Sequence, residues 1–183
     1  MAFQHAKTSY FRKGTRDDTL PCEHPSSRLS TNKSSATAVV DDEIVAEQFT
    51  RNVQFFGVES QKKVAEAFVV VIGLGGVGSH CAHMLLRSGV SRLRLVDFDQ
   101  VSVSSLNRHA LATRSDVGTS KAECLKYHFK RIYPEARIDA KVMLYDQSRE
   151  EELLGDSPDF VVDCIDNVET KVDLLAALSL IHI

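Results

Sequence analysis

The segment Gly-Leu-Gly-Gly-Val-Gly at 73–78 has the composition of a loop that binds phosphate. Gly73, Gly75, Gly76 and Gly78 lack side chains, so the backbone can turn tightly and bring its N–H groups close to phosphate oxygens. A strand is predicted before this loop and a helix after it, and the N-terminus of a helix attracts anions. Glycine-rich turns also serve packing alone, but this position favours a site for the phosphates of a nucleotide.

A carboxylate follows at the end of the next predicted strand, where Asp97 lies about 20 residues beyond the glycine loop. In nucleotide-binding α/β folds, an acidic residue at this position accepts hydrogen bonds from the ribose hydroxyls. The alternative is that Asp97 only caps a loop. Together, the glycine loop and Asp97 suit NAD and ATP equally well.

A second group of polar residues distinguishes between these two nucleotides. Asp99, Ser105, Asn107 and Arg108 follow the second strand, and Lys121 begins the third predicted helix. Arg108 and Lys121 would bring two cations to a triphosphate, and Asp99 would help to position magnesium. When a carboxylate attacks the α-phosphate of ATP, negative charge develops that fixed cations stabilise. The group therefore favours ATP and adenylyl transfer, with a solvated first-turn lysine as the alternative for Lys121.

The fourth predicted strand ends at Asp163, and Asp166 and Asn167 follow it. In a doubly wound sheet this strand lies beside the first one, so that its carboxyl end reaches the crevice where ligands bind. Asp166 is then a candidate magnesium ligand close to the α-phosphate. The alternative role of Asp166 is to cap the next helix, for which Asn167 competes.

Strands and helices alternate along the part of the chain that carries these residues. Strands are predicted at 68–72, 94–96, 136–142 and 160–164, and helices at about 43–51, 58–68, 77–87, 120–132 and 168–178. In the first helix, Ile44, Val45 and Phe49 are expected on one buried face. This order predicts an α/β fold with a doubly wound, mainly parallel Rossmann-like sheet. Complete sheets of this type have further strands, so we expect the fold to be incomplete at the C-terminus.

The composition indicates one globular domain and a separate N-terminal tail. The chain has 183 residues, a net charge of −3 and 43% hydrophobic residues. Residues 1–40 carry six basic and three acidic residues without sustained periodicity, which predicts a disordered tail before a domain at 41–183. Their Arg, Lys and Ser content also suits a mitochondrial targeting segment, against which the acidic pair Asp17–Asp18 counts. We therefore expect a cytoplasmic protein, with mitochondrial association as the alternative.

The four cysteines, Cys22, Cys81, Cys124 and Cys164, form no CxxC pair. This spacing suits neither a zinc ribbon nor a disulfide framework, so structural thiols in a reducing compartment are expected. His109 is a candidate donor to substrate, and a packed histidine is the equal alternative. The longest apolar runs fall short of the roughly 20 residues that cross a bilayer.

Taken together, the motifs resemble the adenylating superfamily of ubiquitin-activating-like enzymes, which includes the molybdopterin-synthase adenylyltransferases. The motifs are GLGGVGS, DFDQVSVSSLNRH, the segment that ends at Lys121, and DCIDNVETK. Within the superfamily, the Ser-Ser-Leu-Asn-Arg-His form and the segment VSRLR at 90–94 are most similar to the tRNA threonylcarbamoyladenosine dehydratases. The resemblance extends from about residue 45 to about residue 175.

The resemblance implies an ATP-dependent dehydration. Enzymes of this family activate the carboxylate of threonylcarbamoyladenosine in tRNA as an acyl adenylate, and a neighbouring nitrogen then closes a cyclic hydantoin with release of AMP. The resemblance assigns Gly76 to the phosphates, Asp97 to the ribose, and Asp166 with Asn167 to magnesium and the nucleotide. It also places Asn107, Arg108 and Lys121 at the triphosphate.

Arg51 resembles the arginine that these enzymes contribute to the ATP of the partner subunit, which implies a homodimer. A surface arginine at a helix end is the alternative. Family members continue well beyond Asp166, so we expect a truncated product in which catalysis and tRNA binding are in doubt.

Three classes of function stay open. The first is the dehydratase, or another adenylating enzyme that activates the C-terminus of a ubiquitin-like or sulfur-carrier protein. The second is a nicotinamide-dependent oxidoreductase. The third is a catalytically dead module that binds ATP or dimerises without turnover.

Overall fold

The computed structural model describes residues 43–180, and the predicted tail at 1–40 lies outside that range. One parallel sheet has the strand order β3-β2-β1-β4. Its strands are β1 (Phe68–Ile72), β2 (Arg92–Val96), β3 (Arg137–Lys141) and β4 (Phe160–Asp163). The predicted α/β fold with a doubly wound, parallel Rossmann-like sheet is thereby confirmed.

Helices cover both faces of the sheet. They are α1 (43–48), α2 (Thr50–Phe56), α3 (Val58–Glu66), α4 (Gly76–Arg87), α5 (Lys121–Ile132), α6 (Glu150–Leu154) and α7 (Val168–Leu180). Three-residue 3-10 turns lie at Val103–Ser105, Arg114–Asp116 and Gln147–Arg149. Across the described range, no helix is both long and apolar enough to span a membrane.

The central strand β1 is buried on both faces because all five of its residues are apolar. Successive side chains of a strand point to opposite faces. Val69 and Val71 accordingly pack in the core beneath α4 and α5, whereas Phe68, Val70 and Ile72 pack in the core beneath α6 and α7. A strand that is apolar throughout therefore holds the two layers of helices together.

The order in which strands are added to the sheet reverses at β1, and this reversal determines where a ligand can bind. From β1 it passes through α4 to β2 and through α5 to β3, and it then returns to β4 on the other side of β1. Ile72 at the end of β1 pairs with Val96 on one side and with Asp163 on the other. The carboxyl ends of these strands therefore flank a topological switch point, where open α/β sheets bind ligands.

The predicted first helix is divided into α1 and α2 at Phe49. The prediction that Ile44 lies on the buried face is wrong. Phe49 is 6% exposed and its ring packs edge-on against Tyr133 at 5.3 Å, whereas Ile44 is 58% exposed. Five residues separate the two, which corresponds to about 140° around a helix. Val45, four residues before Phe49, lies on the same face and packs against the core.

Helix α6, which the sequence did not predict, is attached to the sheet by a buried guanidinium group. Arg94 of β2 donates from Nη1 to the Leu153 carbonyl oxygen at 2.8 Å. Its Nε donates to Asp139 Oδ2 at 2.8 Å and its Nη2 to Asp156 Oδ2 at 2.5 Å. Arg94 is buried, whereas the two carboxylates are about half exposed. One cation therefore joins β2, β3 and the segment around α6.

We predict that Arg94→Met lowers the free energy of unfolding by about 2–3 kcal/mol, mainly because the buried Leu153 carbonyl group of α6 loses its donor. Urea denaturation followed by circular dichroism measures this change. The matched control is Arg137→Met, because Arg137 is exposed and forms no ion pair within residues 43–180. The control should change stability by less than about 0.5 kcal/mol, and equal losses in both variants would contradict the assignment.

Candidate functional site

A cleft lies over the carboxyl ends of the strands at the switch point. Six of the residues predicted from the sequence line it, namely Gly73, Gly75, Asp97, Asp99, Lys121 and Asp166. The segment between β3 and α6 adds a largely apolar wall through Met143, Leu144 and Tyr145. The cleft therefore combines a polar side, formed by residues that follow β1, β2 and β4, with an apolar side that the sequence analysis missed.

Two glycines of the loop are required by packing. Gly73 has a φ of +88°, and a Cβ there would lie 2.6 Å from the carbonyl oxygen of Cys164. A Cβ on Gly78 would lie 1.7 Å from the carbonyl oxygen of Gly73. These glycines let β1, β4 and the start of α4 approach one another closely.

The other two glycines are not required by the packing of the protein. Apart from its chain neighbours, no described atom lies within 4 Å of a Cβ built on Gly75. Outside the backbone of its own helix, the three atoms nearest a Cβ on Gly76 belong to the flexible Arg108 side chain, at 3.4–3.5 Å. Gly75 is the N-cap residue of α4, and no side chain in the described range caps that helix. The first N–H groups of α4 therefore remain available to an anion in the cleft.

Asp97 braces the loop as well as lining the cleft. Its Oδ2 accepts a hydrogen bond from the Leu74 N–H at 2.6 Å, and its Oδ1 accepts one from the Asp99 N–H at 2.7 Å. Burial raises the pKa of Asp97, against the opposing effects of these two donors and of Lys121. Because a carboxylate offers about four acceptor positions, a further donor can still bind. The loop-capping alternative is thus part of the structure, and the ribose contact stays a prediction.

Lys121 is a buried cation in the wall of the cleft. It is 9% exposed, and its Nζ donates to Asp99 Oδ2 at 2.6 Å. Ser120 caps α5 by accepting from the Glu123 N–H at 3.3 Å, which places Lys121 at the first position of the helix. The alternative of a solvated lysine is therefore excluded, and Asp99 is the partner of this ammonium group.

Arg108 lies at the rim of the cleft rather than in its wall. Its aliphatic part lies against Gly76 at the start of α4, and its Nη1 donates to the Ser104 carbonyl oxygen at 2.8 Å and to Asn107 Oδ1 at 3.2 Å. Arg108 and Asn107 are both exposed. This position beside the N-terminus of α4 is within reach of a phosphate that enters the cleft.

Ser105 has a structural contact that the sequence did not indicate. It is buried, and its Oγ accepts from the Ser102 N–H at 3.2 Å within the capping box of the first 3-10 turn. Ser105 therefore stabilises the turn that leads to Arg108, and it is absent from the residues lining the cleft.

Hydrogen bonds show which of Asp166 and Asn167 is the N-cap residue of α7. Asn167 Oδ1 accepts from the Thr170 N–H at 3.0 Å, so Asn167 caps the helix and Asp166 faces the cleft. Lys171 holds the preceding strand end, because its Nζ donates to Asp163 Oδ2 at 2.6 Å. Lys171 was not singled out in the sequence, although it lies in the first turn of the helix that follows Asp163.

His109 and two cysteines have the properties of packed side chains. Nδ1 of His109 accepts from the Ala112 N–H at 3.0 Å, and Nε2 is buried without a partner among the described residues. Burial, followed by the charge of Lys121, lowers the pKa of His109 to about 4. Burial likewise raises the pKa of the Cys124 thiol to about 11 and also raises that of Cys164. These thiols are protonated at neutral pH, which agrees with structural roles.

Arg51 lies on α2 and is exposed, and it is absent from the residues that line the cleft of its own chain. The lining of the cleft therefore gives Arg51 no role within its own chain, and its contact with a partner's nucleotide stays a prediction.

The model of the ThiF family matches residues 49–180, a range that contains the glycine loop, the buried cation and the end of β4. The chain belongs to the ThiF family.

Relatives and solved structures agree with this membership. The chain is 49% identical over 137 residues to tRNA threonylcarbamoyladenosine dehydratase 2 of Saccharomyces cerevisiae. The matched region covers 74% of this chain and 31% of that protein. It is 35% identical over 127 residues to the adenylyltransferase and sulfurtransferase MOCS3 of Drosophila virilis, covering 69% of this chain and 28% of that protein.

The fold matches that of the Escherichia coli tRNA N6-threonylcarbamoyladenosine dehydratase TcdA in complex with ATP. The TM-score is 0.73 at 30% identity, over 75% of this chain and 57% of the TcdA chain. The resemblance inferred from the motifs is confirmed. The chain spans about a third of the length of its yeast relative, so the activity of a whole ThiF-family enzyme remains a proposal here.

The two kinds of glycine in this ThiF-family loop generate a prediction. Gly78→Ala should lower the free energy of unfolding by more than about 3 kcal/mol, because the new methyl group overlaps the Gly73 carbonyl oxygen. Gly75→Ala is the matched control. Its φ of −73° suits alanine and the space is open, so stability should change by less than about 1 kcal/mol. Urea denaturation of both variants tests this, and a large loss in Gly75→Ala would contradict it.

Proposed function

We propose that this chain is the nucleotide-binding part of an ATP-dependent dehydratase. The enzyme adenylates the carboxylate of threonylcarbamoyladenosine in tRNA and forms its cyclic hydantoin. The observation that carries the proposal is the buried Lys121 in a cleft beside the uncapped start of α4. A fixed cation and free helix N–H groups at one switch point suit the charge that develops in adenylyl transfer.

Each part of ATP has a candidate partner among the described residues. Gly75 and the start of α4 would bind phosphate, and Asp97 would accept from the ribose hydroxyls. Lys121 and Arg108 would contact the triphosphate. The apolar wall formed by Met143–Tyr145 supplies a surface for the adenine ring.

We also propose that magnesium accompanies the nucleotide. Asp166 lines the cleft and belongs to no ion pair within residues 43–180, so its carboxylate is available to a hard cation. Asp99 also lines the cleft, and it would act indirectly because it already accepts from Lys121. Asn167 caps α7, so its contribution is to orient the loop that presents Asp166.

The proposed reaction has two steps. A carboxylate oxygen of the substrate attacks the α-phosphorus of ATP, and pyrophosphate leaves. A neighbouring substrate nitrogen then attacks the acyl carbon, loses its proton and expels AMP, which closes the ring. The contribution of this chain is to stabilise the negative charge of the first step through Lys121, Arg108 and the N–H groups of α4.

The relatives support tRNA as the substrate, because the yeast protein and the Escherichia coli structure both carry the name of the dehydratase. A second candidate is an adenylyltransferase that activates the C-terminus of a ubiquitin-like or sulfur-carrier protein. The similarity to MOCS3 favours it, since that relative is named an adenylyltransferase and sulfurtransferase. The buried Lys121 counts against a nicotinamide-dependent oxidoreductase, for which a cation directed at a leaving pyrophosphate has no use.

We predict that ATP with magnesium raises the melting temperature by about 5–10 °C at 100 times its Kd, whereas NAD has no effect. Lys121→Met should weaken ATP binding at least tenfold, because the triphosphate loses its buried cation. Lys126→Met is the matched control, since Lys126 lies on the same helix and pairs with Glu123 at 3.5 Å outside the cleft. Stabilisation by NAD in place of ATP would overturn the assignment.

The same preparation distinguishes the candidate activities. With tRNA that contains threonylcarbamoyladenosine, the dehydratase should transfer label from pyrophosphate into ATP. Exchange that depends on a sulfur-carrier protein instead would select the adenylyltransferase. ATP binding without exchange with either substrate would select the catalytically inactive module.

We further propose that the chain forms a homodimer in which Arg51 acts at the partner's nucleotide. Its support is the position of Arg51 on α2, outside the cleft of its own chain. Arg51→Ala and Lys121→Met should each abolish pyrophosphate exchange. An equal mixture of the two variants should recover about a quarter of the activity, because half of the dimers contain one intact site of two. Absence of recovery after subunit exchange, confirmed by mixed-tag purification, would contradict the shared site.

A further inference from the structure

A cluster of three metal-binding side chains lies outside the cleft, beside α5. A carboxylate oxygen of Asp116, the sulfur of Cys124 and a ring nitrogen of His128 all lie within 4.8 Å of one another. Cys124 is buried, whereas the side chains of Asp116 and His128 are each 15% exposed. None of the three lines the cleft, so the proposed adenylation does not account for them.

Two separate elements bring these side chains together. Cys124 and His128 lie four residues apart on α5 and therefore share one face of that helix. Asp116 ends the 3-10 turn Arg114–Asp116, where its Oδ2 accepts from the N–H and the Oγ of Thr113 at 2.7 and 2.6 Å. A ring nitrogen of His128 lies 3.0 Å from the same Oδ2. The positions of all three groups are thus set by the backbone.

We propose that Asp116, Cys124 and His128 form a zinc-binding site. A thiolate, an imidazole and a carboxylate are the three ligand types that Zn²⁺ takes from proteins. Calcium and magnesium prefer oxygen ligands alone, so the sulfur and nitrogen donors select against them. Three protein ligands leave the fourth tetrahedral position to water. The partial exposure of Asp116 and His128 provides the path by which the ion enters.

The observed distances are close to those of a tetrahedral site. Zinc bond lengths of about 2.0–2.3 Å place neighbouring ligand atoms about 3.4–3.6 Å apart. The hydrogen-bonded oxygen and nitrogen of Asp116 and His128 are 3.0 Å apart, and all three ligand atoms lie within 4.8 Å. Side-chain movements of about 1 Å therefore suffice. On binding, the Cys124 thiol loses its proton to solvent, and the Nε2 proton of His128 moves to Nδ1 through solvent. Nε2 then bonds to zinc in place of its hydrogen bond to Asp116, and a carboxylate oxygen of Asp116 is the third protein ligand.

The hydrogen bonds of Asp116 leave one of its oxygens free for the ion. All three contacts, two from Thr113 and one from His128, reach Oδ2, and Oδ1 accepts none from residues 43–180. An ion pair between Asp116 and His128, next to a buried thiol, would explain the contacts of Oδ2 but not the free Oδ1. The free oxygen and the buried sulfur beside the same imidazole supply the additional donors that a metal site needs.

The site would connect two parts of the candidate active site. Asp116 belongs to the segment between β2 and α5, which also carries Asp99 and Arg108, whereas Cys124 lies one turn beyond Lys121. Zinc would fasten this segment to the helix and so hold the cation-bearing elements in place. By mass action, an ion that binds only the folded chain also stabilises the fold.

Metal binding by the full chain tests the proposal without any nucleotide. After dialysis against Zn²⁺ and removal of excess ion, mass spectrometry of the metal should find one equivalent per chain. Co²⁺ in place of Zn²⁺ should produce a thiolate-to-cobalt charge-transfer band and the visible absorption of a tetrahedral site. Zn²⁺ should also raise the melting temperature.

Two variants and two controls make the test specific. Cys124→Ala removes the sulfur, and His128→Gln removes the imidazole while keeping a hydrogen-bond donor for Asp116. Each should weaken Zn²⁺ binding by more than about 100-fold. Substitution of residues that only orient the ligands has a smaller effect, of about 10–100-fold. Cys81→Ala and His83→Gln remove the same residue types from α4, and they should leave binding unchanged.

Several outcomes would overturn the proposal. They are less than half an equivalent of Zn²⁺ in the unchanged chain, a cobalt spectrum without a thiolate band, or equal losses in the α4 controls. If Cys124→Ala fails to fold, His128→Gln decides the matter, because its circular dichroism and melting show whether the fold is kept. ATP binding is measured separately, so failure of the zinc site leaves the proposed nucleotide function untouched.

Discussion

The carboxylate of Asp97 joins the two strand ends on which the cleft depends. It accepts from the N–H groups of Leu74, in the loop after β1, and of Asp99, in the segment after β2. Because parallel strands end at the same edge of the sheet, one buried side chain can brace both turns at once. The close contacts of Gly73 and Gly78 with the end of β4 complete this arrangement. Removing the carboxylate would leave the N–H groups of Leu74 and Asp99 without this shared acceptor.

The long connection between β2 and α5 is held at both ends, which explains how its side chains can be positioned for chemistry. Val101 donates to the Thr119 carbonyl oxygen at 2.8 Å, and the Gly118 N–H donates to the Val101 carbonyl oxygen at 2.8 Å. The Lys121 N–H donates to the Asp99 carbonyl oxygen at 2.9 Å, beside the ion pair of their side chains. These bonds bring both ends of the connection to the cleft. The proposed zinc site would strengthen the same connection from its outer side.

Charge in the cleft is arranged before any ligand arrives. A cation that is already buried and paired loses little conformational entropy when an anion binds, and its field is weakly screened by water. The ammonium group of Lys121, paired with Asp99 and 9% exposed, meets this condition. Arg108 is exposed at the rim and can move toward a phosphate. The cleft thus combines a fixed cation with a mobile one, which suits a reaction whose leaving group carries most of the charge.

The sequence by itself determined the four strands, most of the helices and the parallel sheet, because the apolar run of β1 and the glycine pattern at 73–78 are local signals. It also identified most of the polar residues of the cleft. Only the tertiary structure decided which residue caps α7 and what Asp97 and Lys121 contact, since their partners lie on other elements or depend on loop geometry. Helix α6 has only two buried leucines, too few for a periodic pattern, and it is stabilised by Arg94 far away in the chain. Local signals specify conformation along the chain, whereas contacts between distant residues specify how the site is assembled.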